Sequence, residues 1–305
     1  MKIAIIGAGA LGCLLASYLS TVAEVWLVDG WAEHVAAISS NGLLCETTTG
    51  ERRSFPHATT DPTRVPICDV ALITVKAHQT PWAAAVVQQI VVGAPPPLIV
   101  TLQNGLGNRE TLASLLDLPV FQGVTALGAT LLGPGRVRQA GSGATALAQT
   151  ADDARLVRLV KLFNQGGLLA TVNTQLDTLV WGKLLVNVGI NALTALLRVP
   201  NGALSLPAVQ PLLTAAVGEA VAVAYAQGIQ LNNPDPLAHV LTVVYATAEN
   251  HSSMLQDVLR GSPTEIQTIN GAIVTLGAQL GVPTPVNQLL VQLVQALEAT
   301  ATLRV

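Results

Sequence analysis

Charge is scarce in this chain. Asp, Glu, Lys and Arg together make up 11% of its 305 residues while half are hydrophobic, so much of the chain must be buried, and its length suffices for two hydrophobic cores. The signs nearly balance: 15 Lys and Arg against 18 Asp and Glu give a formal net charge of -3, with no basic run beyond Arg52-Arg53. That excludes the electrostatic footprint of a nucleic-acid-binding surface. Cysteine is scarce as well. Cys13, Cys45 and Cys68 have neither metal-site spacing nor the density of a disulfide scaffold, which points to buried thiols in a reducing compartment and to no redox role.

Other signatures are missing too. His34, His57, His78 and His239 show no metal-ligand spacing and no visible carboxylate partner, so no metal and no catalytic histidine is expected. There is no G-x-S-x-G elbow and no Cys/His pairing to argue for hydrolysis. The apolar runs Val86 to Val92 and Leu289 to Leu297 are short or broken by glutamine, below the roughly 18 residues of a membrane span. The basic-then-apolar start imitates a signal peptide, but glycines interrupt it and it is explained as a first strand. The expectation is a cytoplasmic protein without a membrane partner.

What stands in place of charge is a glycine-punctuated start. Met1-Lys2-Ile3-Ala4-Ile5-Ile6 reads as a buried strand, Gly7-Ala8-Gly9-Ala10-Leu11-Gly12 follows at once, and Leu14 to Leu19 continue in a helical pattern. Strand, G-x-G-x-x-G and helix in that order form the context in which the motif binds a dinucleotide. Gly7 permits the tight turn, Gly9 clears the backbone for a pyrophosphate, and Gly12 lets the helix lie close to the sheet with its N–H groups facing the phosphates. The next strand, Glu24 to Val28, ends at Asp29, twenty residues beyond Gly9. A nucleotide-binding unit places a carboxylate there for the adenosine ribose hydroxyls; a plain polar strand end is the alternative.

Further along, a helix at Ala32 to Ser39 leads through Asn41-Gly42 to a small hairpin or edge strands around Thr47 to Gly50, and Asp69 to Val75 is a buried strand that delivers Lys76, His78 and Gln79 to its carboxyl end, where ligands sit in open α/β sheets. Pro81 opens a helix that Gly93 and Pro95 to Pro97 close before the strand Leu98 to Leu102. That strand feeds Gln103-Asn104-Gly105-Leu106-Gly107. Asn104 has both a donor and an acceptor for a nicotinamide ribose or a substrate oxygen, although an Asn-Gly pair equally makes only a turn. Strand-like segments at Val120 to Thr130 and Arg136 to Ala140, a helix at Asp152 to Asn164 and an edge strand at Gly166 to Val172 complete a first domain of residues 1–172.

From Leu176 the pattern changes. Leu176, Leu179, Val180, Leu184 and Val188 recur at helical spacing, and apolar helices follow to Leu303 with breaks at Pro200 to Gly202, Gly228, Asn232 to Pro236, Gly261 to Pro263 and Gly281 to Pro285. Residues 173–305 therefore form an all-helical domain after an α/β Rossmann-type one. Its charge-poor surface predicts a homodimer, and a substrate pocket is expected between the domains.

Three polar clusters interrupt the apolar helices. Lys183, Asn187 and Asn191 are spaced by four, which stacks an ammonium and two amides along one helix face. Lys183 either simply faces solvent or, as the paired asparagines favour, stands in a cleft, where a partly desolvated lysine with a lowered pKa suits a general acid for a carbonyl acquiring alkoxide character. The second cluster, Thr247 to Asp257, offers Asn250, Ser252 and Ser253 either for a small carboxylate or as capping residues. The third, Thr264-Glu265 to Asn270-Gly271, contains Glu265, which fits either a helix-start acid or a substrate-facing carboxylate.

In this order after this fingerprint, the clusters resemble those of the ketopantoate reductase family over essentially the whole chain. The resemblance rests on Gly7 to Gly12, Lys76, Gln103-Asn104-Gly105, the Lys183/Asn187/Asn191 helix, Glu249-Asn250-x-Ser252-Ser253-Met254 and Thr264-Glu265 to Asn270-Gly271. It implies NADPH-dependent reduction of 2-dehydropantoate to (R)-pantoate on the way to pantothenate and coenzyme A. It also implies Lys183 as the general acid, Glu265 as the carboxylate orienting lysine and substrate, and Asn104 near the nicotinamide and reacting centre. Asn187, Asn191, Asn250 and Ser253 would bind substrate, and Lys76 would sit at the mouth of the cofactor site beside the Gly7, Ala8, Gly9, Ala10, Leu11 and Gly12 turn. One departure follows the second strand. NADPH-using members usually have a basic residue there, whereas Asp29-Gly30-Trp31 would repel a 2'-phosphate and favour NAD(H), or use of both cofactors.

Overall fold

The computed structural model describes residues 1–93, 95–148 and 154–303. They divide into two compact units, residues 1–103 with 108–176, and residues 104–107 with 177–305. The helix expected at Asp152 to Asn164 is present from Ala154; Asp152 and Asp153, expected at its start, lie outside the described residues.

In the first unit the chain runs β1 (Lys2–Ile6), α1 (Ala10–Leu19), β2 (Glu24–Val28), α2 (Ala32–Asn41), β3 (Leu43–Thr47), β4 (Gly50–Ser54), β5 (His57–Thr59), β6 (Val70–Ile73), α3 (Thr80–Ile90), β7 (Leu98–Thr101) and α4 (Asn108–Leu116). It continues through β8 (Val120–Thr125), β9 (Gly128–Gly133), β10 (Arg136–Gly141), β11 (Thr145–Ala148), α5 (Ala154–Gly166) and β12 (Ala170–Asn173). Eight strands form one sheet in the order β12-β11-β8-β7-β6-β1-β2-β5. The stretch from β8 to β5 is parallel throughout, and β11 pairs antiparallel with β8. The chain leaves β1 toward β2 on one side and later returns to place β6 on the other. This strand-order reversal puts a ligand crevice beyond the carboxyl end of β1, where the glycine turn begins.

Strand β1 shows why its apolar run is continuous. Ile3 and Ile5 enter a core with α1 and α5, whereas Ala4 and Ile6 enter a second core with α3 and α4. A strand covered on both faces has no polar side to show. Helix α1 is likewise buried from Gly12 to Ser17 and at Leu19. Besides packing against β1 and β2, it lies against a separate four-stranded sheet ordered β4-β3-β10-β9. The hairpin of β3 and β4 matches expectation; its membership in this second sheet, through parallel pairing of β3 with β10, does not follow from local pattern.

The second unit is helical: α6 (Leu176–Leu197), α7 (Gln210–Ala226), α8 (Pro236–Ala246), α9 (Ser253–Leu259), α10 (Asn270–Leu280) and α11 (Pro285–Ala299). Prolines open α7, α8 and α11, and Gly281 closes α10 in the left-handed region at φ 69°. Helix α6 is the spine. By length and composition it could cross a membrane, but 67% of its most apolar window is buried, with Trp181, Leu184, Val188, Ala192 and Leu193 in the core of the unit. Glu219 of α7 accepts from the N–H groups of Val286 and Asn287 and so caps α11 from a neighbouring helix.

Candidate active site

Seven of the residues expected at the chemistry, Asn104, Lys183, Asn187, Asn191, Asn250, Ser253 and Glu265, fall in the helical unit. Lys183, Asn187 and Asn191 do share one face of α6, spread over about two turns. Lys183 is half-buried among apolar neighbours, and burial pushes its amine down to about 8 from 10.5 while the Glu265 carboxylate opposes that shift. Glu265 itself is only 4% exposed. It does not start a helix: it lies on a turn ahead of α10, where its carbonyl accepts from Thr268 and Ile269 N–H. Of the two roles open to it in sequence, the helix-start acid is therefore excluded.

Asn104 comes to the same place from 161 residues away, donating from Nδ2 to Glu265 Oε2 at 3.1 Å. Its loop is seated by backbone. Leu106 N–H donates to Thr268 O at 2.9 Å, and Gly105, at φ 82°, lies so close that a Cβ would collide with the Thr268 carbonyl. A residue with a side chain could adopt neither that φ nor that approach without strain. The Asn-Gly pair is thus both a turn and the device that sets an amide against a buried carboxylate.

The amides on either side differ in environment. Asn187 is half-buried, and Asn191 is 4% exposed with its Nδ2 lacking any hydrogen-bond partner among the described residues. Asn201, which the sequence does not single out, has the complementary deficit: Nδ2 donates to Thr247 Oγ1 at 2.9 Å, but its buried Oδ1 has no partner among the described residues. An unpaired buried donor and acceptor both cost free energy unless a ligand supplies the partner. The only sequence signal for Asn201 was its position in a helix break. In the second polar cluster, Ser252 is the N-cap of α9, accepting from Leu255 N–H at 3.0 Å and from Thr194 Oγ1 at 2.7 Å. Ser253 is half-buried in the first turn, and the Asn250 side chain is exposed while its carbonyl accepts from Asn201 N–H. The capping role thus belongs to Ser252.

In the first unit the glycine turn has the form a pyrophosphate needs. Gly7 sits at φ 103°, and a Cβ on Gly12 would strike the Gly7 carbonyl and lie 2.8 Å from Thr74 Oγ1. A Cβ on Gly9 would meet nothing within 4 Å, and no side chain caps α1. Open space thus stands over the helix start, beside Ala10 and Leu11, where the first-turn N–H groups need acceptors. Thr74 Oγ1 donates to the Gly7 carbonyl at 2.8 Å and fixes it, a role the sequence did not announce. Lys76 follows β6 at its carboxyl end, half-buried ahead of a short 3-10 turn. Asp29 accepts from Ala8 N–H at 2.7 Å on one oxygen and from Trp31 N–H at 2.9 Å on the other. These residues fit a dinucleotide, and no group of three or more His, Cys, Asp or Glu among the described residues is placed to hold a metal.

Comparison with known proteins covers both units. Residues 3–152 match the family model described as ketopantoate reductase PanE/ApbA, and residues 175–298 match the model of its C-terminal part. The chain is 36% identical to the 2-dehydropantoate 2-reductase of Halobacterium salinarum over 97% of its own length and 98% of that protein. It is 33% identical to that of Pyrococcus horikoshii, covering 98% of each. Among solved structures, a PanE/ApbA family ketopantoate reductase from Ralstonia eutropha superposes with a TM-score of 0.90 at 33% identity over 99% of this chain and 100% of that one. A D-mandelate dehydrogenase in ternary complex with NADH and anilino(oxo)acetate gives 0.91 at 29% identity over 99% of each. Two family models spanning both units, with relatives matched end to end, place the chain in a single family: it belongs to the ketopantoate reductases, PanE/ApbA.

Proposed function

We propose that this NAD(P)H-dependent reductase converts the C2 ketone of 2-dehydropantoate to the alcohol of (R)-pantoate, with Lys183 as general acid, and that it uses NADH in preference to NADPH. The observation that carries the reading is the buried Glu265 carboxylate, bonded by Asn104 and set against a lysine whose pKa has been brought down to about 8. A general acid works best when its pKa lies near the working pH. When bound, the reduced nicotinamide supplies the hydride. Lys183 gives its proton to the ketone oxygen as that oxygen gains negative charge, and its ammonium stabilises the charge as it develops. Glu265 keeps the lysine protonated by opposing the cost of burial, and Asn104 holds the carboxylate in orientation. Asn187 and Asn191, with Ser253, bind the hydroxyl and carboxylate ends of the substrate; the unpaired Nδ2 of Asn191 supports its part in this.

The cofactor preference rests on Asp29. Its carboxylate is immobilised by two backbone N–H groups at the ribose position, Glu33 follows in the first turn of α2, and no lysine or arginine lies between residues 29 and 34. A 2'-phosphate would meet negative charge there. The neighbouring D-mandelate dehydrogenase structure, which holds NADH, favours the same choice. The test is oxidation of NADH and NADPH with 2-dehydropantoate, in the parent and in D29A. Faster turnover with NADH, a preference that narrows in D29A, and loss of turnover in K183A are expected. Equal or better use of NADPH by the parent would reject the cofactor assignment, and efficient reduction of a different 2-keto acid with none of 2-dehydropantoate would reject the substrate. The charge-poor helical unit further supports a homodimer: Leu289 and Leu293 stand one turn apart on α11, 54% and 44% exposed.

A further inference from the structure

The sequence shows no Cys/His pairing, yet the fold makes one. Cys13 in α1 and His34 in α2 are both wholly buried, with Sγ 3.3 Å from Nε2. The tautomer follows from the other nitrogen. Gly135, in the turn between β9 and β10, donates its N–H to His34 Nδ1 at 3.0 Å, so Nδ1 offers a lone pair and the ring proton sits on Nε2, facing sulfur. The Cys13 thiol in turn donates to the Ala8 carbonyl at 3.1 Å. Burial raises the thiol pKa and lowers that of the imidazole, which keeps both neutral, as these bonds require.

The chain of contacts closes on itself. Ala8 N–H donates to Asp29, Asp29 accepts from Trp31 N–H, and the Trp31 ring stacks on His34 with centroids 5.0 Å apart and planes 11° from parallel. The consequence falls on the next peptide. In a trans peptide the C=O and the following N–H point in opposite directions, so a thiol that holds the Ala8 carbonyl inward turns the Gly9 N–H outward. The space beside Gly9 is open, since a Cβ there would meet nothing within 4 Å. A flipped peptide would present a carbonyl oxygen to a phosphate instead.

We propose that Cys13 and His34 are positioning residues for cofactor binding: by tethering the Ala8 carbonyl they aim the Gly9 N–H at the pyrophosphate, and through Trp31 they brace the Asp29 carboxylate for the adenosine ribose. This rests on the dinucleotide site described above, and it places the effect at the adenosine-diphosphate end, away from the reacting carbon.

Equilibrium titration of the purified full chain with NADH and with ADP-ribose tests it, alongside kcat at saturating cofactor and thermal melting. In Cys13→Ala the dissociation constants of both ligands rise together by about fivefold, the worth of one lost hydrogen bond, while kcat at saturation is unchanged. Cys13→Ser, which can still accept from His34 and donate to Ala8, restores most of the affinity; His34→Gln, which keeps a donor on the sulfur side, weakens binding less than His34→Leu. If Cys13→Ala lowers only the melting temperature, or if Cys13→Ser binds as poorly as Cys13→Ala, the pair is core filling and the proposal fails. If the parent binds neither NADH nor ADP-ribose, the dinucleotide site itself fails.

Discussion

Lys183 faces two demands with opposite pH slopes. As the proposed general acid it must be protonated, so kcat is expected to fall as pH rises through about 8. Folding responds the other way. The amine titrates at about 8 in the folded chain and at 10.5 unfolded, so the unfolded state holds more protons between those values and this group's contribution to stability grows with pH there. That contribution is present above pH 10.5 and lost as pH falls through 8. Activity that declines across pH 8 to 10 without a matching drop in melting temperature is the expected result; a simultaneous loss of both would mean the enzyme is unfolding instead. The partner can be tested separately. Glu265 raises the lysine pKa, so E265A is expected to move the alkaline limb of the kcat profile to lower pH, in addition to a loss of rate on the order of 10²-fold. A limb that stays in place would separate Glu265 from the lysine.

At the scale of elements, the informative piece is the four-residue loop 104–107, which belongs with the helical unit although it follows β7 and precedes α4. Gly105 allows the loop to seat on the turn at 264–269. Gly105→Ala is expected to displace Asn104 from Glu265 and to lower kcat by roughly tenfold to a hundredfold, the usual effect of a small misplacement, while NADH affinity stays within about twofold by the same reasoning. Stopped-flow reduction rates and a fluorescence titration would show the split, and an equal loss in both would refute it. Element existence was largely readable where a period was sustained: α6 from its leucines and valines, β1 from its place before the glycines. Helix α4 went unread because it buries only Leu112 and Leu116 among its apolar positions and directly follows a segment full of turn residues. Strands β5 and β11, with three and four residues, are too short for alternation to register, and the expected edge strand at 166–172 is shifted because Gly166 still belongs to α5.

On the scale of the molecule, a chain with 11% charge must satisfy its few polar groups with care. Cores on both faces of β1 and a third around α6 absorb most of the apolar residues, yet leucines remain exposed on the helical unit, including Leu212, Leu289 and Leu293. If the proposed homodimer buries the α11 face, sedimentation at micromolar concentration gives twice the 31.5 kDa of one chain. A double L289E/L293E variant would then sediment as a monomer with its helical content intact. A parent that sediments as a monomer would remove the dimer.

By itself the sequence determined what depends on spacing along the chain: the glycine turn between strand and helix, Asp29 twenty residues on, the column of Lys183, Asn187 and Asn191, and the change from α/β to all-helical pattern. These are local because a helix repeats every 3.6 residues and a strand every two, so side chains on one face can be counted. Only the tertiary structure decided which distant groups meet. It brought Asn104 to Glu265 across 161 residues, put the small sheet over α1, linked Cys13 both to His34 and to the glycine turn, and left Asn191 and Asn201 buried with atoms that have no partner among the described residues. No spacing rule carries that information, because burial and hydrogen-bond satisfaction are set by what packs against a residue from elsewhere in the chain.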